Sequence, residues 1–205
     1  MEKEIIIETK QGKIKGYDRD GIKKFKGIPY AEPPVGELRF RPSIRKELWS
    51  GILDCTKFGP DVPQRDSFFT PKPPPIQDEE KCLTLNVWTP GLDESKRPVL
   101  FWIHGGGFSF GSGSFTNGTN MAKLGNTVVI SINYRLGIFG YIFIQDEIAN
   151  LGQLDQITAL QWVRDNVTLF GGDPNNVTIF GESAGGAAVS TLMAMPPAKG
   201  LFNRV

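Results

Sequence analysis

Histidine is almost missing from this chain: among 205 residues there is one, His104, and none follows Ser183. Cysteine is nearly as scarce, present as Cys55 and Cys82 alone. Charge is balanced, with 23 Lys and Arg against 22 Asp and Glu and a formal net charge of +1. That balance offers no field for a polyanion, so a nucleic-acid partner is set aside. The lysines near the start, Lys10, Lys13, Lys15, Lys23, Lys24 and Lys26, alternate with or flank apolar positions, as on the solvated faces of short strands. Long apolar runs are absent from the opening as well. Three isoleucines between Glu4 and Glu8 are far short of a signal-peptide core or a membrane span, so neither secretion nor a membrane partner is expected and the cytoplasm is the expected location. Without a secretion signal the two cysteines read as reduced thiols, although a Cys55–Cys82 bridge is possible on paper. No internal repeat is present.

Phosphate-cradling glycine patterns are missing too. Starting from Gly105, a G-x-G-x-x-G template meets Phe110 where its last glycine belongs, and starting from Gly111 it meets Thr116. The Gly12-Lys13 pair is followed by Ile14 where a P-loop needs Ser or Thr. What the chain does contain is Gly181-Glu182-Ser183-Ala184-Gly185, directly after the β-branched run Val177-Thr178-Ile179-Phe180. This G-x-S-x-G pattern predicts a serine on a sharp strand-to-helix turn, with small residues two positions either side so that the backbone can bend and expose Oγ. Ser183 is the candidate nucleophile. Upstream, Val99-Leu100-Phe101-Trp102-Ile103 reads as a buried strand running into His104-Gly105-Gly106-Gly107-Phe108. Consecutive glycines let backbone N–H groups approach a carbonyl oxygen closely, so the oxyanion hole is assigned to Gly106, Gly107 and Ala184.

With these two motifs in order, further blocks complete a resemblance that runs nearly end to end. They are Phe25-Lys26-Gly27-Ile28-Pro29-Tyr30-Ala31, Pro33-Pro34-Val35-Gly36 with Leu38-Arg39-Phe40, and Cys82-Leu83-Thr84-Leu85-Asn86-Val87-Trp88. Asn133-Tyr134-Arg135-Leu136-Gly137, Leu154-Asp155-Gln156 and Phe170-Gly171-Gly172-Asp173-Pro174 follow. Together they resemble the type-B carboxylesterases, which share the α/β-hydrolase fold with cholinesterases, and in particular the bacterial carboxylesterases that hydrolyse p-nitrobenzyl and similar esters. The resemblance implies a mostly parallel twisted sheet with helices on both faces and a small N-terminal antiparallel meander. It implies a serine esterase working on a small-molecule ester through an acyl-serine, with no metal and no cofactor.

In that family the triad runs Ser, then Asp or Glu, then His. Ala184 to Val205 contain no Asp, Glu or His. The expectation is therefore that residues 1–205 are the N-terminal part of a single hydrolase domain, cut short after the nucleophile helix, and inactive and poorly soluble alone. The alternative is a non-catalytic binding protein that uses the cholinesterase-like fold. His104, by resemblance, braces the glycine loop and is not the base. Glu182 cannot readily reach behind a distant histidine and is left an electrostatic role. Phe108 and Phe110 are open between acyl-pocket lining and core. The resemblance also implies ion pairs Arg39–Glu80 and Arg135–Asp155. Two departures stand out: Val62 where secreted relatives carry the cysteine that bridges to the Cys82 position, and Lys81 where aspartate is usual. Sequons at Asn117, Asn166 and Asn176 are taken as incidental.

Strands are expected at Ile5–Glu8, Lys13–Tyr17, Ile22–Phe25, Leu83–Trp88, Val99–Ile103, Thr127–Asn133 and Val177–Phe180. Ile157, Leu160, Val163 and Val167 at helical spacing predict a core-facing helix over Asp155–Phe170, closed by Gly171-Gly172. A second helix should run from Ala184 to about Met195, stopped by Pro196-Pro197. Trp102 and Trp162 are read as packing residues. The segments Ile28–Pro42 and Asp66–Asp78 are too rich in proline for helix or central strand, and the resemblance places the second near a gorge entrance.

Overall fold

Alternating charged and apolar residues at the N-terminus fold into strands β1 (Lys3–Glu8), β2 (Lys13–Arg19) and β3 (Ile22–Pro29), each antiparallel to the one before. The β2–β3 connection is the pair Asp20-Gly21, at φ 57° and 80°. That is the two-residue hairpin whose backbone twist suits right-handed strands. In this computed structural model residues 2–68, 72 and 74–205 are described. Phe25 and Ile28 share one core although they are three residues apart, because the β3 pairing shifts register between them.

Four further strands complete the frame: β5 (Thr84–Thr89), β6 (Arg97–Ile103), β7 (Val128–Ile132) and β8 (Gly172–Gly181). Their order is β1-β2-β3-β5-β7-β6-β8, and the short β4 (Ile52–Asp54) lies parallel to β2. β5 is antiparallel to both β3 and β7, so antiparallel pairing extends one strand beyond the N-terminal meander. β6 is parallel to both β7 and β8, and these three strands carry the candidate site. All residues of β5 and β7 are buried, as expected of strands covered on both faces.

The covers come from helices on opposite sides. Successive residues of a strand point to opposite faces, and the core divides that way. Val87, Val128 and Ile130 join the main core with α3 (Leu151–Asn166) and α4 (Ala184–Ala194), whereas Trp88 and Val129 pack with Ala122 of α1 (Thr119–Gly125). A short α2 (Gly137–Tyr141) packs against α3. α3 begins four residues before the expected start and gives way at Val167 to a 3-10 turn that ends at Gly171, φ 72°. Its buried set includes Gln153, Asp155, Gln156 and Asn166 beside the predicted apolar positions, so α3 is enclosed nearly all round. Trp162 is buried in the main core, and Trp102 packs on Phe180 with ring centroids 4.9 Å apart.

Arg39 pairs with Glu79 rather than Glu80: its Nε donates to Glu79 Oε1 at 3.1 Å and its Nη2 to Oε2. The turn at 78–81, in which Glu80 N–H donates to Asp78 Oδ1 and Lys81 N–H to the Asp78 carbonyl, points Glu80 into solvent. In the proline-rich segment Asp66–Asp78, Phe69, Thr70, Pro71 and Pro73 lie outside the described residues, and the rest is irregular. Beyond α4, Arg204 bridges Thr178 in the parallel sense, and Ile179 N–H donates to the Arg204 carbonyl at 3.0 Å.

Candidate active site

Parallel register decides where the two motifs meet. Ile103 of β6 pairs with Gly181 of β8, so the residues that follow each strand, His104-Gly105 and Glu182-Ser183, leave the sheet side by side at its carboxyl edge. This is the edge at which open α/β sheets bind ligands. A Cβ built on Gly105 would lie 3.2 Å from Ser183 Cβ and 2.6 Å from the Glu182 carbonyl oxygen, which measures how closely loop and elbow touch.

Ser183 sits at φ 56°, ψ −122°, and is exposed. A residue with a side chain in that region stores strain of about 1–3 kcal/mol. The elbow is so tight that a Cβ at Gly185 would come within 2.1 Å of the Ile103 carbonyl oxygen, and one at Gly181 within 2.4 Å of Gly185 C. Glycine is required at both places by backbone contact. The turn is closed by Gly185 N–H to the Glu182 carbonyl, 2.8 Å, and Ala187 N–H to the Ser183 carbonyl, 3.0 Å. α4 therefore starts at Ala184 with its N-terminal dipole end beneath Ser183.

The glycine loop is a second tight turn. Gly106 and Gly107 have φ 109° and 59°, and the Gly106 carbonyl accepts from Ser109 N–H at 3.0 Å and Phe110 N–H at 3.1 Å. Among the described residues no hydrogen bond occupies the N–H groups of Gly106, Gly107 or Ala184. His104 is buried beneath the loop. Its Nδ1 lies 2.8 Å from the Gly105 carbonyl, its ring stacks on Tyr134 with centroids 4.5 Å apart, and Tyr134 Oη donates to the His104 carbonyl at 2.7 Å. Burial pushes the imidazole down to about 4, partly countered by the Gly105 contact. A neutral ring wedged between strand and loop is a brace. Phe108 is half-buried against Tyr141, ring centroids 4.7 Å apart, and joins the edge of the main core. Glu182 is exposed at the elbow.

Behind the site, the predicted Arg135–Asp155 pair is present and nearly sealed from solvent. Arg135 Nε and Nη2 donate to Asp155 at 2.8 and 2.7 Å, and its backbone N–H adds a third bond at 3.0 Å. Burial works against the guanidinium charge, but the hydrogen bonds and charge of Asp155 outweigh it and raise the Arg135 pKa. The block Asn133-Tyr134-Arg135, which leaves β7 at the same edge, thus has its last residue anchored to α3.

Several residues that hold the glycine loop gave no signal of this role in the sequence. Gly111 is gripped by the side-chain amide of Gln64, Ser112 Oγ donates to buried Asp61, and Asn133 Oδ1 accepts from Gly113 N–H at 2.8 Å. Each contact joins residues twenty or more apart, with no periodic pattern to announce it.

Cys55 and Cys82 are unbridged and buried, and burial pushes both thiols up to about 12. Val62 lines the same small cleft as Cys82, so apolar packing fills the position from which a bridge would come. At pH 8 only roughly one thiol in ten thousand would be ionised. Neither should react with a disulfide reagent in the folded protein, and both should titrate in denaturant; no titration there would reveal a bridge. Of the three sequons, Asn166 is fully buried and hydrogen-bonded to Trp162 and Gln11, closed to any glycan, while Asn117 is exposed. No helix among the described residues is long and apolar enough to cross a membrane.

The sequence profile of the Carboxylesterase family matches residues 3–205. The para-nitrobenzyl esterase of Bacillus subtilis (strain 168) is 46% identical over 209 residues, covering 97% of this chain and 42% of that protein. The phenmedipham hydrolase of Pseudarthrobacter oxydans is 45% identical over 208 residues, covering 97% and 41%. A solved structure of a PNB esterase superposes with a TM-score of 0.91 at 46% identity, over 96% of this chain and 42% of that one. The chain spans about two-fifths of the length of the curated relatives it matches.

Proposed function

The chain belongs to the carboxylesterase family, and from that premise we propose that the protein hydrolyses carboxylic esters through an acyl-enzyme on Ser183. The observation that carries this reading is a strained, exposed serine at φ 56°, ψ −122°, touching a glycine loop whose N–H groups are unspent. Ser183 Oγ attacks the ester carbonyl carbon while a histidine base takes its proton. The carbonyl oxygen, now an oxyanion, receives N–H donors from Gly106, Gly107 and Ala184 and the positive end of the α4 dipole. Collapse of the tetrahedral intermediate expels the alcohol, which takes the proton from the imidazolium. Water, activated by the same histidine, then repeats the sequence on the acyl-serine and frees the acid. The chemistry draws on no metal or organic cofactor.

His104 is unsuited to be that base, because it is buried, engaged at Nδ1 and held neutral by its surroundings. We assign the base and its orienting acid to residues outside this chain, since Ala184 to Val205 offer no Asp, Glu or His. Residues 1–205 are accordingly the part of one α/β-hydrolase domain that carries the nucleophile. The relatives, a para-nitrobenzyl esterase and a phenmedipham hydrolase, favour small aromatic substrates as first assays. Two buried, unbridged thiols support a reducing, cytoplasmic location.

The test is hydrolysis of p-nitrophenyl acetate by the 205-residue chain and by the protein expressed from its complete reading frame, each with and without Ser183→Ala. Turnover is expected in the longer serine form alone. Normal turnover by the 205-residue chain would remove the need for an outside base. A folded but inactive longer protein would leave the hydrolase fold as a binding scaffold.

A further inference from the structure

The far end of the glycine loop is held by a side chain that takes no part in the chemistry above. Gly111 brings the loop back onto its own start: a Cβ there would lie 2.4 Å from His104 Nδ1 and 2.5 Å from the Gly105 carbonyl oxygen. Both polar groups of Gly111 are taken by one residue. Its N–H donates to Gln64 Oε1 at 2.7 Å, and its carbonyl accepts from Gln64 Nε2 at 2.9 Å. The primary amide stands where a neighbouring strand would stand, supplying donor and acceptor together. Gln64 is fixed in turn. Its Nε2 also donates to the Val62 carbonyl at 3.2 Å, and its backbone N–H donates to Gln77 Oε1 at 2.9 Å. Asp61 N–H donates to the Ile76 carbonyl at 2.8 Å, so these contacts close the base of the loop between Asp61 and Gln77.

We propose that Gln64 is a positioning residue for the oxyanion hole, pinning the Gly111 peptide and thereby setting the direction of the Gly106 and Gly107 N–H groups. The proposal deepens the esterase reading and rests on it. The turn from Gly106 to Phe110 is already one unit, tied to the Gly106 carbonyl by two hydrogen bonds. Between its ends the unit is also held at Phe108, whose carbonyl accepts from Gly137 N–H at 2.7 Å and whose ring packs on Tyr141, so the two glycine ends set how it pivots about that point. Gly105 is wedged against the Glu182 carbonyl and Ser183, and at Gly111 the polar restraint is Gln64. Release of that end lets the unit tilt, and a donor that tilts away from the developing oxyanion loses transition-state stabilisation while ground-state binding is kept.

The experiment uses the protein from the complete reading frame. Gln64→Leu removes both bonds, and Gln64→Glu keeps the shape but places an acceptor against the Gly111 carbonyl. Both should lower kcat for p-nitrophenyl acetate by roughly 10- to 100-fold with KM within about twofold, part of the loss seen when one hole donor is deleted outright. A trifluoromethyl ketone, whose serine adduct carries the oxyanion, should weaken by the same factor. Acetanilide, a planar carbonyl competitor, should bind as before. Variants with kcat and ketone affinity within twofold of the parent overturn the proposal, and so does an equal loss for both inhibitors, which would mean general damage. Hydrogen exchange at Gly111 separates this idea from the esterase reading. Its amide should exchange at least roughly tenfold faster in Gln64→Leu, whether or not the parent turns over, because a partnered N–H is lost. Unchanged exchange overturns the clamp, whereas an inactive parent with faster exchange leaves the clamp standing and the esterase reading refuted.

Discussion

Ser183→Gly should yield a protein that folds more stably than the parent and does not turn over. The serine occupies φ 56°, ψ −122°, a region that glycine enters freely and a side chain enters at a cost of about 1–3 kcal/mol. Glycine also gains more freedom in the unfolded chain, which returns about 0.5–1 kcal/mol. Ser183 is exposed and its removal sacrifices little burial. The difference favours the variant by about 1 kcal/mol, or roughly 2–4 °C in Tm for a chain of this size. Ser183→Ala keeps the Cβ and therefore the strain, so it should match the parent in stability. In the protein from the complete reading frame both variants lack the oxygen that forms the acyl-enzyme, and the loss of turnover should approach a millionfold, as when a nucleophile that works as a unit with its base is deleted. Thermal melts of the three forms decide the structural half without any assay. A glycine variant no more stable than the alanine variant would mean that the elbow carries no strain, and the nucleophile's exposure would need another cause.

That experiment also marks how far the sequence could be read. The elbow was legible because its constraint is local: a serine between Gly181 and Gly185 after a β-branched strand admits few other readings, and the contact of a Gly185 Cβ with the Ile103 carbonyl shows why. The glycine loop was legible for the same reason. Strand β4 and helix α1 were not, since three residues and seven residues carry too little periodicity to stand out from loop. The resemblance pairs Arg39 with the neighbouring glutamate because it fixes a block and not the direction in which a tight turn points each carboxylate. The Gln64 and Asp61 contacts to the loop were invisible because polar pairing across 47 and 51 residues depends on the finished fold. Nor did spacing alone show how much of α3 is polar and buried, because a helical stripe marks its apolar face and says nothing of what covers the other.

That buried polar face sets the second large effect: Asp155→Asn should destabilise the fold by about 3–5 kcal/mol, the usual result of stranding one member of a buried ion pair. Asp155 is fully buried and Arg135 only 3% exposed. The carboxylate receives three hydrogen bonds from Arg135, two from the guanidinium and one from the backbone. Asparagine keeps the size but presents one acceptor oxygen and an amide that cannot accept, and it leaves the guanidinium charge uncompensated. Arg135 retains a bond from Nη1 to the Arg41 carbonyl at 2.8 Å, which is too little to hold a charge out of water. Against a total stability of about 5–15 kcal/mol the loss would place much of the population near unfolding at physiological temperature. Urea denaturation of parent, Asp155→Leu, Arg135→Met and the Asp155→Leu/Arg135→Met double variant measures the pair as a cycle, with Asp155→Asn beside them. The double variant should recover most of the stability, because a well-packed apolar pair can replace a buried ion pair at little cost. It should not recover the site in full. Tyr134, between the pair and β7, stacks on His104 and donates to its carbonyl, so the anchoring of its neighbour to α3 also bears on the brace beneath the glycine loop. Recovered stability together with full turnover in the double variant would reduce the pair to a folding device. Recovered stability with reduced kcat would tie the bidentate geometry of Arg135 to the placement of the oxyanion donors Gly106 and Gly107, 29 and 28 residues away along the chain but leaving the sheet at the same edge.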